Sequence, residues 1–143
     1  MANFRQGFYE VKNSEKYVGN GKPRFRSGWE MTFMMFLDSN DNVLKWASEP
    51  VKIPYQNPIT GKTTIYVPDF IVTYRGPQNT TKAELIEIKP RNQSIVEGKM
   101  KDSQKAVIAQ NYAKWDAATK WAKQNGLTFR VLTEDQIFHQ GKK

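Results

Sequence analysis

The spacing of hydrophobic positions changes several times along this chain. From residue 28, Trp29, Phe33, Phe36 and Leu37 recur at helical intervals, which predicts an amphipathic helix over 28–38. Ser27-Gly28-Trp29-Glu30 opens it with capping-box chemistry, a Ser at the N-cap and a Glu three residues on. Ser39-Asn40-Asp41-Asn42 ends it and turns the chain. Short β-type runs follow at Val43–Ser48, Val51–Tyr55, Thr63–Val67, Phe70–Tyr74 and Ala83–Lys89. Turns at Asn57–Gly61 and Gly76–Thr80, and prolines at 50, 68 and 90, punctuate them.

The pattern then returns to helical spacing. Ser103–Asn125 is rich in helix formers and predicts a long helix with Tyr112, Trp115, Ala118 and Ala122 on one face and Gly126 as its stop. Leu127–Leu132 predicts a last strand, and Thr133-Glu134-Asp135-Gln136 a second capping box opening a short terminal helix. Residues 1–25, polar and punctuated by Gly7, Gly19, Gly21 and Pro23, predict an irregular arm with a short strand near Phe8–Val11. Residues 91–102 predict a polar loop. The element order predicts an α/β fold with a mixed β-sheet flanked by helices.

Composition narrows the chemistry. With 143 residues the chain is sized for one domain. It has no Cys, which excludes disulfides, thiolate zinc sites and Cys nucleophiles. The single histidine, His139, excludes any site built on two imidazoles. No apolar run reaches the length of a membrane span, and the N-terminus lacks the apolar region of a secretory signal. These features predict an intracellular, non-secreted protein with no membrane partner.

The net charge of +8 points to a polyanion, and it is unevenly spread. Residues 1–30 carry six Lys/Arg against three acids, and residues 75–143 carry thirteen against seven. Residues 31–74 carry three against four. Basic flanks around a slightly acidic middle suit a phosphate-binding surface with carboxylates set inside it.

Those carboxylates are specific. In Glu84-Leu85-Ile86-Glu87-Ile88-Lys89-Pro90 the strand period of two puts Glu87 and Lys89 on one face and Ile86 and Ile88 on the other. Asp69 follows Pro68 at the end of the preceding strand, and a hairpin returns the second strand beside the first. Two carboxylates and a backbone carbonyl are the donors that a hard cation such as Mg²⁺ takes, and a neighbouring lysine supplies positive charge for a phosphate. Glu30 would present a third acid from the first helix. Each residue also has a plainer reading: Glu87 and Lys89 as a solvated strand face, Asp69 as an Asx turn, Glu30 as a helix cap.

Pro68-Asp69 with Glu87-Ile88-Lys89 resembles the motif of the PD-(D/E)XK nuclease superfamily, and Glu30 within Arg26-Ser27-Gly28-Trp29-Glu30 matches the helix glutamate of several of its branches. The blocks Trp46-Ala47-Ser48-Glu49-Pro50, Ile53-Pro54-Tyr55 and Tyr66-Val67-Pro68-Asp69-Phe70 extend the similarity. So do Asn111-Tyr112-Ala113-Lys114-Trp115 and Phe129-Arg130-Val131-Leu132-Thr133-Glu134. Together they resemble the branch of TnsA-type transposon endonucleases and phage endonuclease I, and within it the head-completion nucleases of T-even-type tailed phages.

The resemblance implies a restriction-endonuclease-like fold, with an arm at 1–25, a nuclease domain at 26–135 and a tail at 136–143. It implies a Mg²⁺-dependent DNA endonuclease, with Mn²⁺ as a substitute, whose metal ligands are Asp69, Glu87 and the Ile88 carbonyl. Lys89 becomes the catalytic lysine, Glu30 an additional acid and Glu49 a lesser candidate. Arg24, Arg26 and Arg91 become phosphate contacts. DNA and phage head or portal proteins are the implied partners, in the infected host cytoplasm or the virion head. The resemblance also admits a homodimeric Holliday-junction resolvase, or a head-completion protein that has kept the fold without cutting.

Overall fold

The computed structural model describes residues 6–89 and 101–133. Arg91, His139, the Thr133–Gln136 capping box and the 136–143 tail therefore lie wholly or mainly outside the described residues. In order come β1 (Gly7–Phe8), β2 (Arg24–Phe25), α1 (Gly28–Ser39), β3 (Val43–Ser48), β4 (Ile53–Gln56) and β5 (Thr63–Tyr66). Then follow β6 (Phe70–Arg75), a 3-10 turn at Pro77–Asn79, β7 (Thr81–Ile88), α2 (Asp102–Gln124) and β8 (Thr128–Leu132).

The main sheet has the order β3-β6-β7-β8. The first three strands are antiparallel neighbours, while β7 and β8 are parallel. A parallel pair needs a long crossover, and the segment carrying α2 provides it. One face of the sheet packs Trp46, Phe70, Val72, Ile86, Ile88 and Leu132 against Phe33, Met34 and Leu37 of α1. On the other face Leu85 joins Ala118 of α2 and Ile53, Tyr55 and Tyr66 of the β4–β5 ribbon. The sheet is thus mixed and covered on both faces. No helix among the described residues is long and apolar enough to cross a membrane.

Two expectations change. The buried stripe of α2 is Ile108, Asn111, Ala118 and Ala122, with Trp115 packed beside it, whereas Tyr112 is 50% exposed. The steps 108, 111, 115, 118, 122 keep the helical seam, and Tyr112 falls one residue off it. The segment expected as an irregular arm is also built into the fold. Phe8 pairs with Arg24 and Gly7 with Phe25, so the strand falls at Gly7–Phe8, not over 8–11. Tyr9, Val11 and Tyr17 pack against the core.

The anchor of that segment is Asp38, in the last turn of α1 and 2% exposed. An acid there opposes the helix dipole, and the incoming chain compensates. The Tyr9 hydroxyl and the Lys12 N–H donate to Oδ2 at 2.8 Å each, and the Asn13 N–H donates to Oδ1 at 3.0 Å. Lys16 Nζ donates to the carbonyls of Asp38 and Asn40 at 3.1 and 2.7 Å, capping the helix end with a cation.

Candidate active site

The site forms where β6 begins and β7 ends. Antiparallel register pairs Phe70 with Ile86, so a continued ladder would set Pro68 opposite Ile88. Proline has no N–H to donate, and the ladder stops there. The Ile88 N–H instead donates to Asp69 Oδ2 at 2.7 Å, and the Ile88 carbonyl receives no ladder donor from Pro68. This local break puts the Asp69 carboxylate, in place of a ladder partner, against the end of β7.

Glu87 and Lys89 share a face, as the period of two predicts, with Lys89 Nζ 3.6 Å from Glu87 Oε2. The face is not solvated, however. Glu87 is 5% exposed, beneath α2 and the β4–β5 ribbon. The Tyr66 hydroxyl donates to Glu87 Oε1 at 2.8 Å, and the Asp69 carboxyl lies near enough to Glu87 to feel its charge. The Lys89 N–H donates to the Leu132 carbonyl at 2.9 Å, which fixes the lysine's backbone on β8.

Glu30 sits at the start of α1. Its N–H donates to the Ser27 hydroxyl oxygen at 3.2 Å, so Ser27 is the N-cap. Its carboxylate does not close a reciprocal box on the Ser27 N–H. It accepts from the Arg26 N–H at 3.2 Å and from the Ser27 hydroxyl at 3.4 Å, which turns it one residue further back. Glu49, at a positive φ of 48°, donates its N–H to the Asp69 carbonyl at 2.8 Å. Its carboxylate accepts from Arg26 Nη2 at 2.9 Å. This non-glycine residue in the left-handed region marks the chain's sharp approach to Asp69.

The electrostatics of the cluster are those of crowded like charges. Burial, followed by the charges of Glu87 and Glu30, pushes the Asp69 carboxyl well above the usual carboxylate range, against the Ile88 N–H and Lys89. Burial also raises Glu87, with Lys89, Tyr66 and Lys114 pulling the other way. Glu30 is raised by burial first, then by Glu87 and Glu49, while the Arg26 N–H and its guanidinium oppose the shift. Groups perturbed by burial and by each other in one place are a functional-site signature.

The structure therefore brings Glu30, Asp69, Glu87, Ile88 and Lys89 into one region, with Arg26 and Glu49 at its edge. Arg24 is exposed on β2 and makes no side-chain hydrogen bond or ion pair with the cluster among the described residues. The donors available to a divalent cation are the Asp69 and Glu87 carboxylates and the Ile88 carbonyl. Among the described residues no three His, Asp or Glu side chains converge as a ligand set, so a cation would rest on two carboxylates and backbone oxygen. Two residues escape a reading of the sequence, Tyr66 and Lys114. Both lie in blocks with visible family similarity, but only the packing of β5 and α2 over β7 brings them to Glu87.

Over residues 40–134 the chain matches the family described as TnsA-like endonuclease N terminal. It is 32% identical over 150 aligned positions to the head completion nuclease of Enterobacteria phage T4, an alignment that covers 96% of each chain. The fold, with its mixed sheet flanked by helices, is the restriction-endonuclease-like α/β architecture of that family, and the chain belongs to the TnsA-like endonucleases.

Proposed function

We propose that this protein is a metal-dependent DNA endonuclease of phage head completion, with its reacting centre at the Asp69–Glu87 pair. The observation that carries this reading is the pair itself: two neighbouring carboxyls at the end of β7, Asp69 tied to the Ile88 N–H and the buried Glu87 to a lysine. Burying like charges together is costly unless a cation or proton lies between them. Asp69, Glu87 and the Ile88 carbonyl are hard oxygen donors of the kind Mg²⁺ takes, with Mn²⁺ an acceptable substitute. Such an ion, when bound, neutralises phosphate charge and lowers the pKa of a coordinated water.

The chain's own residues supply the rest. Lys89, on the same face as Glu87, places an ammonium beside the charge that develops on the phosphate. Glu30 adds an acid from α1, its orientation set by the Arg26 N–H. Arg24, Arg26 and Arg91 contact flanking phosphates, and the basic flanks hold the duplex. On this reading the protein meets DNA and phage head or portal proteins in the infected cell or at the virion head.

The test is purified protein with supercoiled, linear and four-way-junction DNA, in Mg²⁺, Mn²⁺ or EDTA. The expected result is cutting with either metal and none with chelator. Cutting confined to the junction would make it a resolvase, and no cutting of any form with either metal would make it a non-catalytic head protein. Cutting unaffected by EDTA would remove the metal from the mechanism.

A further inference from the structure

We infer that Lys114, on α2, is a second phosphate-binding lysine of this site, reaching the DNA phosphate from the side opposite the sheet; the inference rests on the active-site reading above. Lys89 stands 3.6 Å from Glu87 and is already shared with that carboxylate. A phosphodiester entering a cluster of three acids meets net repulsion that one partly engaged lysine answers poorly. A further cation beside the cluster would change that balance.

Lys114 is placed for the role. Its Nζ lies 5.7 Å from the centroid of the Tyr66 ring, the same ring whose hydroxyl donates to Glu87 Oε1 at 2.8 Å. One aromatic side chain thus holds the acid by its edge and the lysine over its face. Lys114 is half-buried and makes no ion pair among the described residues. Lys120, six residues along the same helix, has Asp116 at 3.0 Å at i,i+4 spacing. Lys114 lacks such a companion, because Asp116 is two residues away and lies off its face.

The surroundings of the ammonium also fit. Burial and the nearby Lys89 charge disfavour the charged form of Lys114, while Glu87 and Asp69 favour it. Two ammonium groups set beside the same carboxylates make a charge arrangement suited to an anion. A cation–π contact alone is a weak reason to bring a lysine here. A phosphate oxygen held between Lys89 and Lys114 is a stronger one.

The experiment compares Lys114→Met and Lys114→Arg with wild type in three measurements. These are plasmid cleavage with Mg²⁺, thermal unfolding, and the salt dependence of binding to a short duplex in an Asp69→Ala background. For Lys114→Met the expected results are an unchanged unfolding temperature and cleavage reduced at least ~10-fold. The slope of log K against log salt should be shallower by about one contact, and Lys114→Arg should recover most of that slope. Unchanged cleavage and slope in Lys114→Met would overturn the inference. So would a lowered unfolding temperature with an unchanged slope, which would make Lys114 a counter-ion of the fold. If Asp69→Ala alone still cuts like wild type, the active-site reading itself falls and this inference with it. If Asp69→Ala is inactive and Lys114→Met is silent, only the role of Lys114 is lost.

Discussion

Two buried acidic centres lie near the two ends of α1, and they are built on opposite terms. Asp38 accepts from the Tyr9 hydroxyl and from two backbone N–H groups. Burial alone would raise its carboxyl, but the bonds from Lys12, Tyr9 and Asn13 outweigh burial and hold it below the usual range. Asp69 accepts one backbone N–H and faces two other carboxylates, which together with burial drive it the other way. A carboxylate supplied with donors is finished within the fold and serves as a rivet. One crowded by its own kind is left strained, which is the mark of a functional site rather than of a structural one.

The contrast is broken most decisively by removing the acids on each side. Asp69→Ala or Glu87→Ala should lower plasmid cleavage by ~100- to 1000-fold while thermal unfolding stays the same or moves upward, because repulsion is removed. Duplex binding, carried by the basic flanks, should survive or strengthen. Wild-type cutting by Asp69→Ala would move the active site elsewhere.

Asp38→Ala should do the reverse. It strands the Lys12 and Asn13 N–H groups and the Tyr9 hydroxyl, at a cost of about 3 kcal/mol. Denaturant titration should show that loss, while cleavage persists at temperatures where the protein remains folded. An undiminished midpoint would mean that the segment before α1 is held by its apolar contacts alone.

Glu30 sharpens the boundary between the two kinds of acid, since it is both a helix-terminal acceptor and a neighbour of the cluster. Glu30→Gln keeps an oxygen for the Arg26 N–H, so unfolding should be near normal while cleavage drops ~100-fold. Ser27→Ala, by contrast, should cost about 1 kcal/mol of stability through the lost cap and leave the chemistry close to wild type. Full activity in Glu30→Gln would reduce Glu30 to a helix-end residue.

The smallest effect is in pH, measured by thermal unfolding in EDTA from pH 3 to 8. Asp38 is depressed in the folded state, so its contribution is present above the unfolded aspartate pKa near ~3.9. That contribution is lost as pH falls through the folded value. The gap between wild type and Asp38→Asn should therefore be widest near neutrality and narrow toward pH 3. Asp69 is raised, so its contribution is present below the unfolded pKa and lost as pH rises through the folded value. Asp69→Asn should accordingly gain on wild type as pH rises above ~4. Parallel curves for the two variants would erase the distinction between the centres.

Local chemistry made much of this legible. The cap at Ser27, the turn through Asn40–Asn42 and the stop at Gly126, with its φ of 75°, are written in residues close together in the chain. The same holds for Glu87 and Lys89, because the strand period brings them to one face without help from elsewhere. The role of residues 6–25 was not legible in this way. Their backbone donors are answered by Asp38, and their aromatic rings by Trp46, both distant in sequence. A Gly- and Lys-rich segment shows no periodicity of its own when a buried acid elsewhere holds it.

By itself, then, the sequence determined α1, α2 and the strands β3 to β8 within a residue or two, the pairing of acid and lysine along β7, and a motif that marks the family. Periodicity, capping and proline chemistry act over a few residues and need no third dimension. Only the tertiary structure decided that Asp69 meets the Ile88 N–H, because that depends on register across a hairpin. The same holds for Glu30 from α1, and for Tyr66 and Lys114 closing over Glu87 from β5 and α2. These groups are far apart in the chain and come into one region only because both faces of one sheet must be covered. That burial is what turns ordinary surface charges into a site.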